Sequence, residues 1–305
     1  MTWQVPIEFK SVTKSYGSYL ALDDMTLTVE SGEIFGFLGP NGAGKTTAIR
    51  ILTGFLNPTD GSAHVFGMNS WMETVNINRR IGFVPDLSSL YDNSTGIELL
   101  EYFGSLHGGL NRPNLNTLSD SLKLSHEDLN RKIRQYSHGM KRKLAIIQAM
   151  QHQPDLLIMD EPTQGLDPLT QIALFGVLKT FSNNGGTIFF SSHVLSEVEN
   201  LCERVAIIRE GKLIVIEKIK ELKSRKRRVA KIRFKNEIPS NFDLQGLTII
   251  SRDNNEFLLS IDHNINPFIK FLGNYQVENL SIEEPSLEDI FLDYYQDPNQ
   301  DDLSL

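Results

Sequence analysis

The stretch Gly39-Pro40-Asn41-Gly42-Ala43-Gly44-Lys45-Thr46-Thr47 constrains this chain more than any other. It fits G-x-x-x-x-G-K-[ST], and its flanks are those the pattern needs. Ile34-Phe35-Gly36-Phe37-Leu38 before it is a short apolar run that reads as a buried strand. Thr47-Ala48-Ile49-Arg50-Ile51-Leu52 after it continues as a helix. Strand, glycine loop and helix start, in that order, make an anion site. Glycines let successive N–H groups curl around one phosphate, and the helix start adds its dipole and unpaired donors. Lys45 then brings a mobile positive charge to the terminal phosphates, and Thr46 a hydroxyl placed for Mg2+. With other flanks the same letters would be a glycine-rich turn that happens to hold a lysine.

The rest of the chain supplies the sheet around that loop. Ile7 to Val29 reads as antiparallel strands, with Leu20–Leu22 and Leu27–Val29 as separate pieces and Tyr16-Gly17 in a loop. Ser62–Phe66 follows the turn Asn57–Gly61, and Ile81–Val84 is a strand ended by Pro85. From Ser88 to Gln151 the pattern is mainly helical, broken at Asn111–Asn114. Leu156–Met159 and Thr187–Phe190 are buried strands separated by a helix through Ile172, Leu174, Val177 and Leu178. Buried strands alternating with helices predict a mostly parallel α/β sheet covered on both faces. Val205–Ile208 and Leu213–Ile216, joined through Glu210-Gly211, read as a closing hairpin.

At Lys218–Lys235 the composition turns basic, and a domain boundary is expected near Leu222. The basic run is a solvated linker and strand face, or else a contact for anionic lipid or an acidic partner. Strands at Val229–Phe234, Leu247–Ser251 and Phe257–Ile261 and a helix at Pro267–Leu272 follow. A last helix starts at Ser286, with Asp289 three residues on as its capping partner and Leu287, Ile290, Phe291 and Tyr294 as its apolar stripe.

Composition removes several classes of function. The formal net charge of −8 argues against a chain whose main work is gripping nucleic acid. The one cysteine, Cys202, excludes an internal disulfide and a thiolate metal cluster, and reads as a small buried thiol. No apolar run approaches the ~20 residues that cross a bilayer. Met1-Thr2-Trp3-Gln4 lacks the basic start and apolar core of a secretion signal. The expectation is an intracellular chain that works at a membrane only through a partner.

Two further stretches carry chemistry. Leu156-Leu157-Ile158-Met159-Asp160-Glu161-Pro162 is a buried strand ending in two carboxylates. Asp160 leaves the sheet where Mg2+ would be shared with Thr46. Glu161 points differently and can take a proton from water attacking the γ-phosphate. In Tyr136-Ser137-His138-Gly139-Met140-Lys141-Arg142-Lys143-Leu144, Ser137 reads as a helix cap, and serine with glycine at a helix start also forms an anion site.

Taken together, these motifs resemble Walker A, Walker B and the signature of the nucleotide-binding domain of ABC transporters, from about Ile7 to Ile216. The resemblance implies a P-loop NTPase core with an antiparallel β subdomain and a helical subdomain at about 88–151. The whole cassette would span 1–221, with a small α+β C-terminal domain at 222–296 and an acidic tail at 297–305. It implies ATP and Mg2+, held by Gly39, Asn41, Gly42, Ala43, Gly44, Lys45, Thr46 and Thr47, with Tyr16 stacking on adenine. Thr46, Asp160 and Asp86 would serve the metal, and Lys45, Glu161 and His193 the reaction. Gly165-Leu166-Asp167-Pro168 matches the loop that crosses a dimer interface, and Ser137 and Gly139 would reach the nucleotide of a second copy.

Two motifs depart from the family. The signature Leu-Ser-Gly-Gly-Gln is changed at Tyr136, His138 and Met140, and the usual glutamine after Ile81–Val84 is Asp86, whose reach is shorter. Glu284-Pro285-Ser286-Leu287-Glu288-Asp289-Ile290-Phe291-Leu292 resembles the C-terminal extension of ATPase subunits serving ABC-2-type exporters. The implied protein is a homodimeric ATPase on the inner face of the cell membrane, driving a separate integral-membrane permease, with export as the expected direction and no nucleic acid. The alternative is a soluble ABC-type ATPase acting on nucleic acid or ribosomes. Its DNA-repair members place coiled coils or zinc insertions between Walker A and the signature, where this chain is compact and free of cysteine.

Overall fold

The computed structural model describes residues 5–85, 92–235, 244, 246–262 and 264–296. Asp86 and the tail 297–305 lie outside the described residues. The chain divides into two compact units, Met1–Glu217 and Lys218–Leu305.

The first unit opens on a hairpin of β1 (Ile7–Tyr16) and β2 (Tyr19–Val29), with Ile7 opposite Val29 and Tyr16 opposite Tyr19. The two pieces expected after Gly17 are one continuous strand, because register shifts between Phe9 and Ser15 keep the pairing aligned. Tyr16, expected in a loop, is the last residue of β1, so the turn is only Gly17-Ser18. β3 (Ile34–Leu38) is wholly buried and leads into α1 (Lys45–Leu52). β4 (Asp60–Val65) pairs antiparallel with β1, and β5 (Met68–Asn69) closes this sheet at its edge.

After α2 (Thr74–Asn78) and β6 (Ile81–Val84) comes a helical stretch of α3 (Gly96–Ser105), α4 (Arg112–Leu122), α5 (His126–Leu129), a 3-10 turn at Ile133–Gln135, and α6 (His138–Met150). Asn111–Asn114, expected to break a helix, starts one instead. The Asn111 side chain accepts from Asn114 N at 3.1 Å, and Pro113 sits in the first turn, where its missing N–H costs nothing.

β7 (Leu156–Asp160), α7 (Pro168–Asn183), β8 (Thr187–Ser192), α8 (Leu195–Leu201), β9 (Arg204–Arg209) and β10 (Lys212–Lys218) complete the unit. In α7, Leu174 and Leu178 are buried, but Ile172 of the expected stripe faces out. The second sheet has the order β10-β9-β3-β8-β7-β6, parallel from β9 to β6. Ala48, Ile49, Ile51 and Leu52 of α1 pack in one core with Ile7, Phe9 and Leu27 of the antiparallel sheet and Phe35, Phe37 and Phe189 of the parallel one. The helix that follows the glycine loop is thereby held from both sides.

The second unit holds α9 (Ile219–Ser224), β11 (Arg228–Phe234), β12 (Leu247–Asp253), β13 (Glu256–Ile261), α10 (Asn266–Leu272), β14 (Val277–Glu283) and α11 (Leu287–Gln296). Its antiparallel sheet has the order β12-β13-β11-β14. β14 was not expected, because Val277 and Ile282 are the only inward apolar residues it carries into the core. This unit begins at Lys218, ahead of the boundary expected near Leu222, since its first helix, α9, packs on α11. Part of the basic run is the outward face of β11, where exposed Lys231 and Arg233 alternate with buried Ala230, Ile232 and Phe234. Arg227 pairs with Asp262 at 2.9 Å and Arg228 with Glu284 at 2.8 Å. Ser286 and Asp289 cap α11 reciprocally, as expected, with Leu287 and Ile290 buried. The side chain of Tyr294 lies outside the described residues.

Phe257 meets Phe234 edge to face at 5.7 Å in the core of this unit. Phe257→Ala is expected to cost about 3–5 kcal/mol there. Hydrogen exchange on the full chain checks this: amides of β11 and β13 should lose protection while those of β3 and β7 keep theirs.

Candidate functional site

Three adjacent strands of the parallel sheet end at one place. β8 lies between β3 and β7, with Leu38 opposite Ser192 and Asp160 opposite Ser191. The carboxyl ends of a parallel sheet are where the chain turns into loops and helix starts, so a crevice forms there. It is a cavity of about 430 Å3 lined by the 40–47 loop, Asp160, Glu161, Gln164, His193 and Tyr19.

The glycine loop is shaped by what surrounds it. Gly44 has φ +110, and a Cβ there would stand 2.6 Å from the Ala21 carbonyl oxygen. Only glycine fits both conditions. Asn41, Gly42, Gly44, Lys45, Thr46 and Thr47 line the cavity. Gly39 and Ala43, expected with them, lie behind the wall. The Gly39 carbonyl accepts from Lys45 Nζ at 2.6 Å, and Ala43 is buried with its N–H on Pro40 O at 3.2 Å.

Lys45 is 6% exposed, and its ammonium also meets the Glu161 carboxylate at 3.3 Å. A buried cation needs such a partner, because desolvation alone would be unfavourable by several kcal/mol. Glu161 reaches back with its other oxygen to His193 Nδ1 at 2.8 Å. Lys45, Glu161 and His193 therefore form one chain of contacts across the sheet, although 32 residues separate the last two. Glu161 adopts φ +48, a left-handed conformation that a non-glycine residue holds only under constraint. Its Oε1, the oxygen that faces Lys45, is buried and accepts no hydrogen bond from the described residues, so the ion pair with Lys45 is its one compensating contact there.

Asp160 is buried and accepts from Ser191 Oγ at 2.6 Å and from Thr46 Oγ1 at 3.0 Å. The latter separation suits a shared hard cation: neighbouring oxygens around an octahedral Mg2+ with bonds of about 2.0–2.1 Å are about 2.9 Å apart. Among the described residues no cluster of three or more His, Cys, Asp or Glu could hold a metal. A hydroxyl and one carboxylate match the way Mg2+ is bound, with substrate phosphates and water completing the shell.

The remaining expected residues stand elsewhere. Tyr16 is half-exposed under Lys14 Nζ, 5.4 Å from its ring centre, and does not line the cavity. Its cross-strand neighbour Tyr19 does, with its hydroxyl donating to Gly42 O at 3.3 Å. The signal for Tyr19 was present, because Tyr16-Gly17-Ser18-Tyr19 spaces two aromatics around a two-residue turn. Ser191 and Gln164 were also missed, since strand register and loop path are not written in a local pattern.

Ser137 caps α6, accepting from Met140 N at 3.2 Å, and neither it nor Gly139 lines this cavity. His138 instead packs on Gly165 of the loop that leads to Asp167. Asp167 caps α7 and accepts from Thr170 N at 3.0 Å and Thr170 Oγ1 at 2.6 Å; those donations hold its carboxyl below the usual range. Tyr136 is buried with its hydroxyl on Asp128 O at 2.6 Å, and burial pushes its phenol up to about 12. Cys202 is a buried free thiol, as expected.

Residues 22–164 match the family model described as ABC transporter, and residues 218–295 match that of the ATP-binding protein DrrA1-3-like C-terminal domain. The bacitracin transport ATP-binding protein BcrA of Enterococcus faecalis is 37% identical over 229 residues, 75% of this chain and 74% of its own. An uncharacterized ABC transporter ATP-binding protein of Bacillus subtilis, YhaQ, is 34% identical over 92% of this chain and 96% of its own. The solved structure of an ATP binding subunit of an ABC transporter is 28% identical, with a TM-score of 0.68, covering 72% of this chain and 92% of that one. These relatives give no support to the nucleic-acid and ribosome alternative. A phosphate loop, paired carboxylates and a histidine gathered at the carboxyl end of one parallel sheet, with these relatives, place the chain in the family of ABC transporter ATP-binding proteins, which are ATPases.

Proposed function

We propose that this chain is the ATP-hydrolysing motor of an ABC exporter, working as a homodimer on a separate integral-membrane permease. The observation that carries the chemistry is the contact chain Lys45–Glu161–His193 over the glycine loop. The loop amides and Lys45 bind the phosphates of ATP. Thr46 and Asp160 would hold Mg2+, whose charge offsets that of the phosphates. Glu161 accepts the proton of the attacking water, and His193 fixes the carboxylate that does so. Water oxygen bonds to the γ-phosphorus as the bond to the β–γ bridging oxygen breaks, giving ADP and phosphate. Asp86 has the role of orienting water or metal.

Ser137 and Gly139 serve the site of the second copy. In support, both sit at a helix start yet stay outside the cavity of their own chain. ATP then joins two such faces, and hydrolysis parts them.

Coupling to the permease runs through a groove of about 630 Å3 lined by Phe55, Phe83, Phe103, Leu106 and Pro85, with Thr46 and Asp160 also among its lining residues. Phe55 and Leu106 are 67% and 60% exposed there, more apolar surface than an isolated chain gains from showing. Arg142 of α6 donates to Pro85 O at 2.8 Å, which ties the helical stretch to the strand end before Asp86. Among the described residues no helix is long and apolar enough to cross a membrane. In this reading the chain attaches peripherally to the permease, at the inner face of the membrane. Export as the direction rests on the DrrA-like C-terminal match and the Glu284–Leu292 motif.

The test is ATP turnover of the purified chain alone, with the candidate permease in lipid, and with DNA or ribosomes. Stimulation by the permease alone supports the reading, and stimulation only by nucleic acid or ribosomes overturns it. Phe55→Asp is expected to weaken co-purification with the permease by about 10- to 30-fold, the size of an interface anchor.

A further inference from the structure

Behind the reacting residues lies a buried carboxyl with no part in the reaction just described. Glu197 projects from α8 into the protein and is 8% exposed. One of its oxygens, Oε2, accepts two hydroxyls. Thr163 Oγ1 donates to it at 2.7 Å, and Ser192 Oγ at 2.9 Å. Both donors are themselves buried. Thr163 stands two residues after Glu161, and Ser192 one residue before His193. We propose that Glu197 is a positioning residue, which clamps the loop carrying Glu161 to the strand end carrying His193. The proposal rests on the roles given above to Glu161 and His193.

The local backbone shows why a clamp is needed. Glu161 turns left-handed at φ +48 on leaving β7. Its upstream side is held by its own N–H on Ser191 O at 3.2 Å. Downstream, Gln164 N–H bonds to Glu161 O at 3.2 Å, closing a tight turn that Thr163 anchors. On the other strand, Ser192 Oγ accepts from Val194 N at 2.9 Å while donating to Glu197, so the residue between, His193, is fixed at both shoulders. A non-glycine residue stays in such a conformation only when its surroundings over-determine it. An apolar side chain at 197 would fill the volume but leave the buried Thr163 hydroxyl without the acceptor it now has, and Ser192 with only the Val194 carbonyl at 3.5 Å.

The cost of this arrangement is visible. Burial pushes the Glu197 carboxyl upward, while the two hydroxyls pull it down, and Glu161 adds a like charge nearby. The Glu197 carboxylate therefore sits where it is unfavourable by itself, supported by the groups it ties.

The experiment is steady-state ATP turnover and ATP affinity of the full chain as wild type, Glu197→Ala, Glu197→Gln, Glu161→Gln and the Glu161→Gln/Glu197→Ala double variant. Misplacing a reacting group by about 1 Å costs on the order of 10²-fold, so Glu197→Ala is expected to lower kcat by about 10- to 100-fold. ATP affinity should stay within about 2-fold, because the glycine loop is untouched, and the Glu161→Gln background should show less than about 3-fold further loss. Glu197→Gln keeps an oxygen that can accept both hydroxyls and should stay within about 3-fold of wild type.

Equal loss of affinity and kcat, a full multiplicative effect in the double variant, or a Glu197→Gln as impaired as Glu197→Ala overturns the proposal. If Glu197→Ala does not fold, Thr163→Val and Ser192→Ala each cut one tie, and unchanged kcat in both overturns it. If Glu161→Gln keeps wild-type turnover, the assignment of the base falls first. If Glu161→Gln is slow and Glu197→Ala is not, the positioning role alone falls.

Discussion

Glu161→Gln is expected to lower ATP turnover by about 10²- to 10⁴-fold while the protein still binds ATP, the range lost with a general base. The substitution keeps the side chain's length and shape, so the left-handed turn at Glu161 and its contact with His193 can persist. What it removes is the capacity to accept a proton from water. It also removes the charge that faces Lys45 at 3.3 Å, but that lysine keeps the Gly39 and Pro40 carbonyls at 2.6 and 3.3 Å. Binding and turnover should therefore separate, and single-turnover hydrolysis beside equilibrium nucleotide binding measures both. Wild-type turnover in this variant would sink the assignment of the base.

Lys45→Ala should act on the other quantity. Its ammonium is the one buried cation lining the described cavity, and hydrogen bonds to charged groups contribute about 1.5–3 kcal/mol each. Loss of one such contact to the phosphates predicts ATP affinity weaker by about 10- to 100-fold. Titration of a fluorescent ATP analogue reads this directly, with ADP and AMP as comparisons. A deficit that shrinks from ATP to AMP places the lysine at the terminal phosphates. An affinity unchanged from wild type would remove Lys45 from the site.

The two variants divide the site by where its information lies. The glycine loop was legible because it is local: strand, turn, lysine and helix start follow one another within Ile34–Leu52, and the structure reproduces that order. The helix start at Asn111 was misread for a related reason. Asn, Arg and Pro together mark either the end of one helix or the start of the next, and only packing chooses between them. β14 escaped because its apolar positions are sparse, and pairing with β11, not pattern, makes it a strand.

The stretch from Gly39 to Thr47 by itself determined that this chain holds a phosphate loop, and Leu156–Glu161 that two carboxylates end a buried strand. Both facts follow from period and spacing along the chain. Only the tertiary structure decided that β8 lies between those strands, which brings Ser191 to Asp160, His193 to Glu161, and Glu197 beneath both loops. It also decided that Tyr19, not Tyr16, faces the cavity. The physical reason is that strand order and register come from side chains packing across the sheet between residues far apart in sequence. A local pattern records which residues are buried, but not which neighbours they meet.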